Sequence, residues 1–256
     1  MKYFFALIGL ISMPTFAADL QVSDTTGITF WLVTAAMLAA TVFFFAERDT
    51  VKGKWKTSLS VAGLVTGIAF WHYLYMRGVW VDSLTETGTG SSPTVYRYID
   101  WLISVPLQII EFYLILRVCT NVSSGVFWRL LGASLVMLVA GFMGETASAE
   151  QVAGGMYQMI CFVVGMAGWL YIIYEVFSGE AGKLNAASGN AAAQQAFSTI
   201  RLIVTVGWAI YPIGYWLGMG AGGDMGSANL IYNLADFVNK IAFGLAIWAA
   251  AQSDND

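Results

Sequence analysis

Seven long apolar segments limit the folds that this chain of 256 residues can adopt. A helix needs about 20 predominantly apolar residues to cross a bilayer, and every segment reaches that length. Hydrophobic residues make up 58% of the chain and charged residues only 11%, a balance that a soluble domain does not need. The sequence therefore predicts an all-α membrane protein folded as a bundle of seven transmembrane helices. The predicted helices cover residues 28–47, 57–80, 95–117, 124–143, 152–177, 198–218 and 228–251.

The connections between these segments are short and polar. They are predicted as loops at residues 47–56, 81–94 and 178–195. The sequence SSP at residues 91–93 is a helix start signal, and it predicts that the third helix begins just before Arg97. No internal repeat interrupts the pattern, so one compact seven-helix domain is expected.

The first 17 residues have the features of a secretory signal peptide. Lys2 precedes a short apolar run, and small residues stand before a cleavage site near Ala17 or Ala18. The predicted domains are a signal peptide at residues 1–17 and a seven-helix domain at residues 18–256. A short uncleaved first span is the alternative.

The basic residues predict the orientation of the bundle, because short cytoplasmic loops of membrane proteins carry an excess of Lys and Arg. With the N-terminus outside, only Arg77 and Arg97 of the twelve Lys and Arg residues lie toward the outside. Lys2 belongs to the signal peptide and Lys240 to mid-membrane. The other eight lie inside: Arg48, Lys52, Lys54, Lys56, Arg117, Arg129, Lys183 and Arg201. We therefore expect the N-terminus outside and the C-terminus inside.

Lys240 lies near the centre of the last apolar segment. An ionisable group at that depth in a bilayer has a high free-energy cost, and its presence indicates a functional site. Asp236 stands four residues earlier and therefore lies on the same face of the helix. A lysine beside a carboxylate in a dry site can hold an aldehyde cofactor as a protonated Schiff base. A structural ion pair between helices is the alternative.

The third segment carries a polar stripe. Asp100 and Glu111 are eleven residues apart, so on a helix they return to within about 20° of each other and lie roughly 16 Å apart along the axis. Ser104 and Gln108 fall near the same line, and Arg97 precedes Asp100 by three residues. Carboxylates at two depths, with a lysine at mid-depth on another helix, suggest a proton path. A polar face that lines a solvent cavity or a helix contact is the alternative.

One histidine and several aromatic residues complete the candidate site. His72, the only histidine, could tune the proton affinity of a nearby carboxylate, and a satisfied core residue is the alternative. Trp208 and Tyr211 lie on one face of the sixth helix beside a kink expected at Pro212. Their rings could form a wall for a flat polyene, although core packing is the ordinary role of such residues.

Four strings in the chain resemble those of the microbial rhodopsins. They are RYIDW at residues 97–101, EFYL at 111–114, GWAIYP at 207–212 and DFVNK at 236–240. The resemblance to the proteorhodopsins within that family covers nearly the whole mature chain. It implies all-trans-retinal bound covalently to Lys240 as a protonated Schiff base.

The resemblance also implies roles for the other candidate residues. Asp100 would be the counterion and proton acceptor, Asp236 the second counterion, and Glu111 the proton donor. Arg97 would be the charge partner on the outer side. His72 matches a histidine beside the acceptor, and Tyr73 matches a tyrosine near the Schiff base. The pocket positions of the family match Trp101, Trp208, Tyr211 and Tyr215.

The chain departs from the common pattern of the family at two positions and lacks one feature. Ser104 replaces a usual threonine and keeps the hydroxyl group. Gln108 stands where green-absorbing members have leucine, so it resembles the blue-absorbing class and is expected to tune the colour. Asp224 is the only carboxylate in the last outer loop, so the paired glutamates that release the proton in bacteriorhodopsin have no obvious match.

The function implied by the resemblance is a light-driven, blue-absorbing outward proton pump, which is an ion transporter rather than an enzyme. A slow-cycling photosensory rhodopsin is the alternative, and Glu111 argues against it because a sensor needs no fast reprotonation. Asp100 argues against a chloride or sodium pump, in which the acceptor carboxylate is replaced. A non-photochemical transporter would show no colour with retinal.

The expected partner is the lipid bilayer, and the protein is expected as a multi-pass protein of a bacterial inner membrane. The net charge of −4 argues against nucleic acid. Cys119 and Cys161 lack the spacing of metal or redox sites, so no metal is expected. The family resemblance implies a homo-oligomer, a pentamer or hexamer, without an obligate transducer. In that oligomer His72 could connect Asp100 to a neighbouring subunit near Trp31.

Overall fold

The structure, a computed structural model, describes residues 20–219 and 223–254 of the chain. The predicted signal peptide lies outside the described residues. Within those ranges seven helices are long and apolar enough to cross a membrane, and no strand occurs. The predicted fold, an all-α bundle of seven transmembrane helices, is confirmed. The helices are α1 (Thr25–Glu47), α2 (Gly53–Thr87), α3 (Thr94–Cys119), α4 (Ser124–Glu145), α5 (Met156–Phe177), α6 (Ala191–Gly218) and α7 (Met225–Ser253).

Large apolar side chains cover much of the outside of the bundle, and several charged side chains are buried within it, an arrangement unusual for a soluble protein. Helices that follow one another in the chain pack side by side, and α7 contacts both α1 and α2, which closes the ring. Val163 and Val206 are exposed on the outside, whereas Arg97, Asp100 and Lys240 are buried. This arrangement suits a lipid environment and concentrates the polar groups along the axis of the bundle.

The end of the bundle at which α1 begins is the one predicted to face outward, and we call it the outer end. Asp24 caps α1 there by accepting the amide N–H of Gly27 at 2.8 Å. The same carboxylate accepts the indole N–H of Trp80 at 3.1 Å. Such caps satisfy amide groups that the first turn of a helix leaves without partners. The bond from Trp80 also ties α2 to the start of α1.

Asp254 ties three helices together at the inner end. Its carboxylate accepts the indole N–H of Trp55 at 2.8 Å and the amide N–H of Asn190 at 3.3 Å. It also pairs with Lys54 at 2.6 Å. Partial burial raises the pKa of this carboxyl group, but the bonds from Lys54, Trp55 and Asn190 outweigh that effect and lower the pKa below its ordinary value. The end of α7 is thereby held against α2 and the start of α6.

Two of the predicted loops are wrong because much of each is helical. α2 continues to Thr87, where Gly88 ends it with a φ of 72°, a left-handed conformation that glycine adopts readily. A short inner helix, Glu180–Ala187, and the start of α6 occupy most of the predicted loop at 178–195. The prediction ended each helix where its apolar residues ended. Polar residues can continue a helix beyond the bilayer, because the helical hydrogen bonds of the backbone do not depend on lipid.

α6 is not a continuous α-helix. The backbone widens into a π turn at Ile203–Gly207, and the α-helix resumes at Ile210. The kink was expected at Pro212, but the break lies one turn earlier. Proline has no N–H, and its ring clashes with the carbonyl group four residues before it, which in α6 belongs to Trp208. The backbone ahead of the proline therefore has to rearrange.

Candidate functional site

Lys240 is paired with two buried carboxylates in the middle of the bundle. Its Nζ atom lies 2.5 Å from Oδ2 of Asp100 on α3 and 3.7 Å from Oδ2 of Asp236, one turn earlier on α7. The Lys240 side chain is 2% exposed and both carboxylates are 0% exposed. Buried charges are costly unless they are paired. The structure therefore brings together three of the predicted site residues, and the nearer carboxylate comes from the other helix.

The two carboxylates differ in how well their oxygen atoms are satisfied. Asp236 accepts hydrogen bonds from Tyr73 at 2.9 Å, from Tyr211 at 2.7 Å and from the indole of Trp101 at 3.2 Å. Among the described residues, Oδ1 of Asp100 has no hydrogen-bond partner. Both oxygen atoms of Asp236 therefore already have hydrogen-bond donors. Asp100 is the carboxylate with an oxygen atom free to take a proton.

Arg97 reaches the carboxylates through a tyrosine rather than directly. Its guanidinium donates to the hydroxyl of Tyr73 at 3.1 Å, and that hydroxyl donates to Asp236. Its second terminal nitrogen donates to the amide oxygens of Asn229 and Asn233, each at 2.9 Å. No ion pair within the described ranges joins Arg97 to a carboxylate. The two asparagines were not predicted, and they fix the guanidinium on the outer side of the site.

A cavity lies beside Lys240 in the centre of the bundle, and its walls are mainly aromatic and apolar. The predicted pocket residues Trp101, Trp208, Tyr211 and Tyr215 all line it. Further walls come from α3, α4 and α5: Val105, Met137, Leu138, Phe162, Met166 and Trp169. The cavity thus has the flat, apolar surfaces that a planar molecule needs, with an amine in its wall.

The residues around the cavity fit a long aldehyde attached to Lys240. The aromatic rings offer flat contact surfaces, and the two carboxylates can balance a positive charge on the Lys240 nitrogen. Gln108 also lines the cavity, and its Nε2 atom has no partner within the described chain. Ser104 is fully buried one turn before Gln108, and its hydroxyl is likewise without a partner among those residues. Unpaired buried polar atoms are costly, so both positions are suited to a bound group or water.

Glu111 is isolated in apolar surroundings on the inner half of α3. It is 1% exposed, and neither carboxyl oxygen has a hydrogen-bond partner within the described residues. Its buried neighbours along the helix include Ile109 and Phe112, and Ser58 of α2 faces it. An ionised carboxylate without partners is costly in such a place. Glu111 is therefore suited to carry a proton rather than a charge.

His72 lies near the site without a hydrogen bond to it. Its Nδ1 atom is 2.9 Å from the carbonyl oxygen of Ile68 on the same helix. Within the described chain no hydrogen bond joins the ring to Asp100, although the two groups interact electrostatically. His72 therefore lies within electrostatic range of the predicted acceptor, without a hydrogen bond to it among the described residues.

A further carboxyl group, not predicted, lines the outer part of the cavity. Glu145 accepts the hydroxyl groups of Tyr98 and Tyr232, each at 2.8 Å. The predicted fourth helix ended at residue 143, which put Glu145 in a loop. In the structure it is the last residue of α4 and points toward the two tyrosines. A charged residue directly after an apolar run is the signal that could have indicated it.

The chain is similar to known proteins along nearly its whole length. A family model described as bacteriorhodopsin-like protein matches residues 24–253. The chain is 55% identical to the blue-light absorbing proteorhodopsin of Gamma-proteobacterium Hot 75m4, over 99% of this chain and 98% of that protein. It is 56% identical to the green-light absorbing proteorhodopsin of Gamma-proteobacterium EBAC31A08, over 100% of this chain and 99% of that protein. The crystal structure of a blue light-absorbing proteorhodopsin from Med12 is similar with a TM-score of 0.74 at 59% identity, covering 90% of this chain and 100% of that one.

Proposed function

Because this chain belongs to the bacteriorhodopsin-like family, we propose that it is a light-driven outward proton pump with retinal as its chromophore. It is a multi-pass membrane protein and a transporter rather than an enzyme. The observation that carries the proposal is the buried contact of 2.5 Å between Lys240 and Asp100, with Glu111 isolated farther inward on the same helix as Asp100. This arrangement supplies a proton carrier, an acceptor and a donor in a row.

Lys240 is the proposed attachment point of the chromophore. All-trans-retinal, held there as a protonated Schiff base, would supply light absorption and an isomerisation that could displace the proton on the Lys240 nitrogen. Trp101, Trp208, Tyr211 and Tyr215 would hold the polyene between their rings, since all four line the cavity. The residues around the nitrogen then determine where the proton goes.

Asp100 is the proposed proton acceptor and Asp236 the second counterion. Both carboxylates balance the positive charge on Lys240 in the dark. The oxygen atoms of Asp236 are already occupied by the hydroxyl groups of Tyr73 and Tyr211. Asp100 retains an oxygen atom without a donor among the described residues and lies closer to the nitrogen. A displaced proton therefore passes to Asp100.

Glu111 is the proposed proton donor. Its dry surroundings keep it neutral until the Lys240 nitrogen has lost its proton. On a continuous α-helix Glu111 lies roughly 16 Å inward of Asp100 along the axis. A proton that leaves Glu111 for Lys240 is replaced from the inner side, whereas the proton on Asp100 leaves outward. The difference in depth between the two carboxyl groups gives the transport its direction.

Glu111→Gln is expected to slow the late part of the photocycle, because glutamine occupies the same space but has no proton to give. Reprotonation of Lys240 should slow by about a hundredfold, the lower range for loss of a positioned proton donor. Flash photolysis measures this rate. The absorption band should hardly move, and azide, a small mobile proton carrier, should restore the speed. An unchanged rate without azide would assign the donor role to another group.

Gln108 is proposed to set the colour. The relatives named blue-absorbing and green-absorbing are 55% and 56% identical to this chain, so overall similarity does not decide between the two colours. Gln108 lines the cavity two turns inward of Asp100. In a bound protonated Schiff base, excitation would move positive charge away from the nitrogen toward the ring of the chromophore. A polar group near the nitrogen stabilises the ground state more than the excited state and shifts absorption to the blue.

Gln108→Leu is therefore expected to shift the absorption band to the red. The excitation energy should fall by about 1–3 kcal/mol, the size of a polar contact with a charged group. The spectrum is measured at alkaline pH, with Asp100 ionised in both proteins, so that the change at residue 108 is the only difference. Gln108→Glu should change both the colour and its pH dependence. If the leucine variant absorbs at the same wavelength, Gln108 only packs against its neighbours.

The pump proposal is tested by illuminating cells that express the chain with retinal supplied. The external medium should become more acid in the light, and a protonophore should abolish the change. Colour with an ordinary photocycle but no acidification would support the slow-cycling photosensory alternative. Absence of visible colour would support a non-photochemical transporter.

The remaining proposals concern the setting of the protein. The N-terminal 17 residues would direct the chain to the inner membrane of a bacterium and be removed, leaving the N-terminus outside. We propose a homo-oligomer, a pentamer or hexamer, without an obligate transducer. In it His72, which interacts electrostatically with Asp100, would connect the acceptor to a neighbouring subunit. A monomer in nanodiscs with the same acceptor titration and the same response to His72→Ala would contradict that connection.

A further inference from the structure

The break in α6 takes two backbone N–H groups away from their usual partners. The N–H of Trp208 donates to the carbonyl of Ile203 at 3.0 Å, one residue farther back than in an α-helix. The N–H of Tyr211 donates to the carbonyl of Trp208 at 3.1 Å, one residue nearer than in an α-helix. The carbonyl groups of Val204 and Gly207, which these two N–H groups would otherwise reach, are left without their helical bonds.

Side chains from two neighbouring helices donate hydrogen bonds to these two carbonyl groups. Trp169 on α5 donates its indole N–H to the carbonyl of Val204 at 2.9 Å. Asn239 on α7 donates its amide N–H to the carbonyl of Gly207 at 3.0 Å. A methyl group at Gly207 would lie 2.0 Å from Oδ1 of Asn239, so only glycine admits the amide at this distance. Asn239 is buried and directly precedes Lys240. The turn of α7 that carries Lys240 is thus hydrogen-bonded to the break in α6.

The inner half of α6 packs against the helix that carries the proposed donor. The ring of Phe197 meets the ring of Phe112 at a centroid distance of 5.0 Å and an angle of 74°. Phe112 follows Glu111 in the chain. A bend at the break would move Phe197 relative to Phe112 and would change the access of water to Glu111.

We propose that Asn239 is a positioning residue that controls when the inner half of α6 bends, and thereby how fast Glu111 reprotonates Lys240. This inference rests on the proposed pumping function. While Asn239 holds the Gly207 carbonyl, α6 stays closed over Glu111 and keeps it dry. A displacement of Lys240 after illumination moves the adjacent Asn239, weakens this bond and lets α6 bend.

Asn239→Leu tests the proposal, because leucine is similar in size but cannot donate a hydrogen bond. In the dark, hydrogen exchange of the backbone amides at residues 203–211 should rise about three- to tenfold, the factor that one net hydrogen bond contributes. Reprotonation of Lys240 after a flash should accelerate by a similar factor, because the bent form is reached more often. Trp169→Phe removes the other donor and should change both quantities in the same direction.

Val238→Leu is the matched control, since Val238 is exposed on the outside of the same helix. It should leave the exchange and the reprotonation rate unchanged. Unchanged exchange in Asn239→Leu, or an opposite change in Trp169→Phe, would overturn the proposal. So would raised exchange with an unchanged reprotonation rate. The exchange measurement needs no light, so it tests the role of the Asn239–Gly207 hydrogen bond independently of pumping. Failure of the proposed pumping function would instead appear as absent acidification by the unmodified protein.

Discussion

Lys240→Ala is expected to give a colourless protein that retinal cannot convert into a pigment. Lys240 is the lysine in the wall of the central cavity among the described residues, so an aldehyde in the cavity would find no other amine there. The substitution also leaves Asp100 and Asp236 buried without their cation. The free energy of unfolding should therefore fall by about 3–5 kcal/mol. Visible absorption after incubation with retinal measures the first effect, and denaturant unfolding measures the second.

Two further variants separate the loss of the amine from the loss of the charge. Lys240→Arg keeps a positive charge near Asp100 but cannot form the same covalent link, so it should be colourless and more stable than Lys240→Ala. Lys183→Ala removes an amine from the short inner helix and should keep its colour. A visible band in Lys240→Ala that survives hydroxylamine would contradict the attachment at Lys240.

The number and type of helices could be predicted because each span has to satisfy its own backbone in lipid. That requirement makes every span a helix, the thickness of the bilayer makes it long and the lipid makes it apolar, and such segments are visible in a sequence. The ends of the helices were less predictable. α2 continues beyond its predicted end at residue 80 and ends at Thr87, directly before Gly88. The position of the π turn in α6 was also not predicted, since the donors that satisfy its carbonyl groups lie on α5 and α7 and are distant in sequence.

Contacts within one helix of the site could be predicted, whereas contacts between helices required the family resemblance or the structure. Asp236 lies one turn from Lys240 on any helix. The closer contact with Asp100 depends on how α3 packs against α7, which spacing alone does not determine. Asn229 stands four residues before Asn233, and Asn233 stands three residues before Asp236, so the polar face of α7 was visible in the sequence. Their hydrogen bonds to Arg97 could not be predicted from the sequence.

Asp100→Asn is expected to stop outward pumping and to shift the absorption band to the red. Asparagine cannot take the proton from Lys240, so the initial rate of light-driven acidification should fall by about a hundredfold or more. Asp236 cannot replace it, because Tyr73 and Tyr211 already occupy its oxygen atoms. The red shift follows from the loss of a negative charge 2.5 Å from the nitrogen. With less negative charge there, the positive charge of the chromophore spreads along the polyene, and the excitation energy falls.

The matched control for this variant is Asp224→Asn. Asp224 is a carboxylate outside the central site that caps α7 by accepting the N–H of Ser227 at 2.9 Å. Asparagine keeps an oxygen atom that can cap the helix, and the change removes no group near Lys240, so colour and acidification should both persist. If Asp100→Asn still acidified the medium at the normal rate, Asp100 would not be the acceptor. Glu145 would then be the group to replace next, because it is the carboxyl group that lines the same cavity as Lys240 within the described residues.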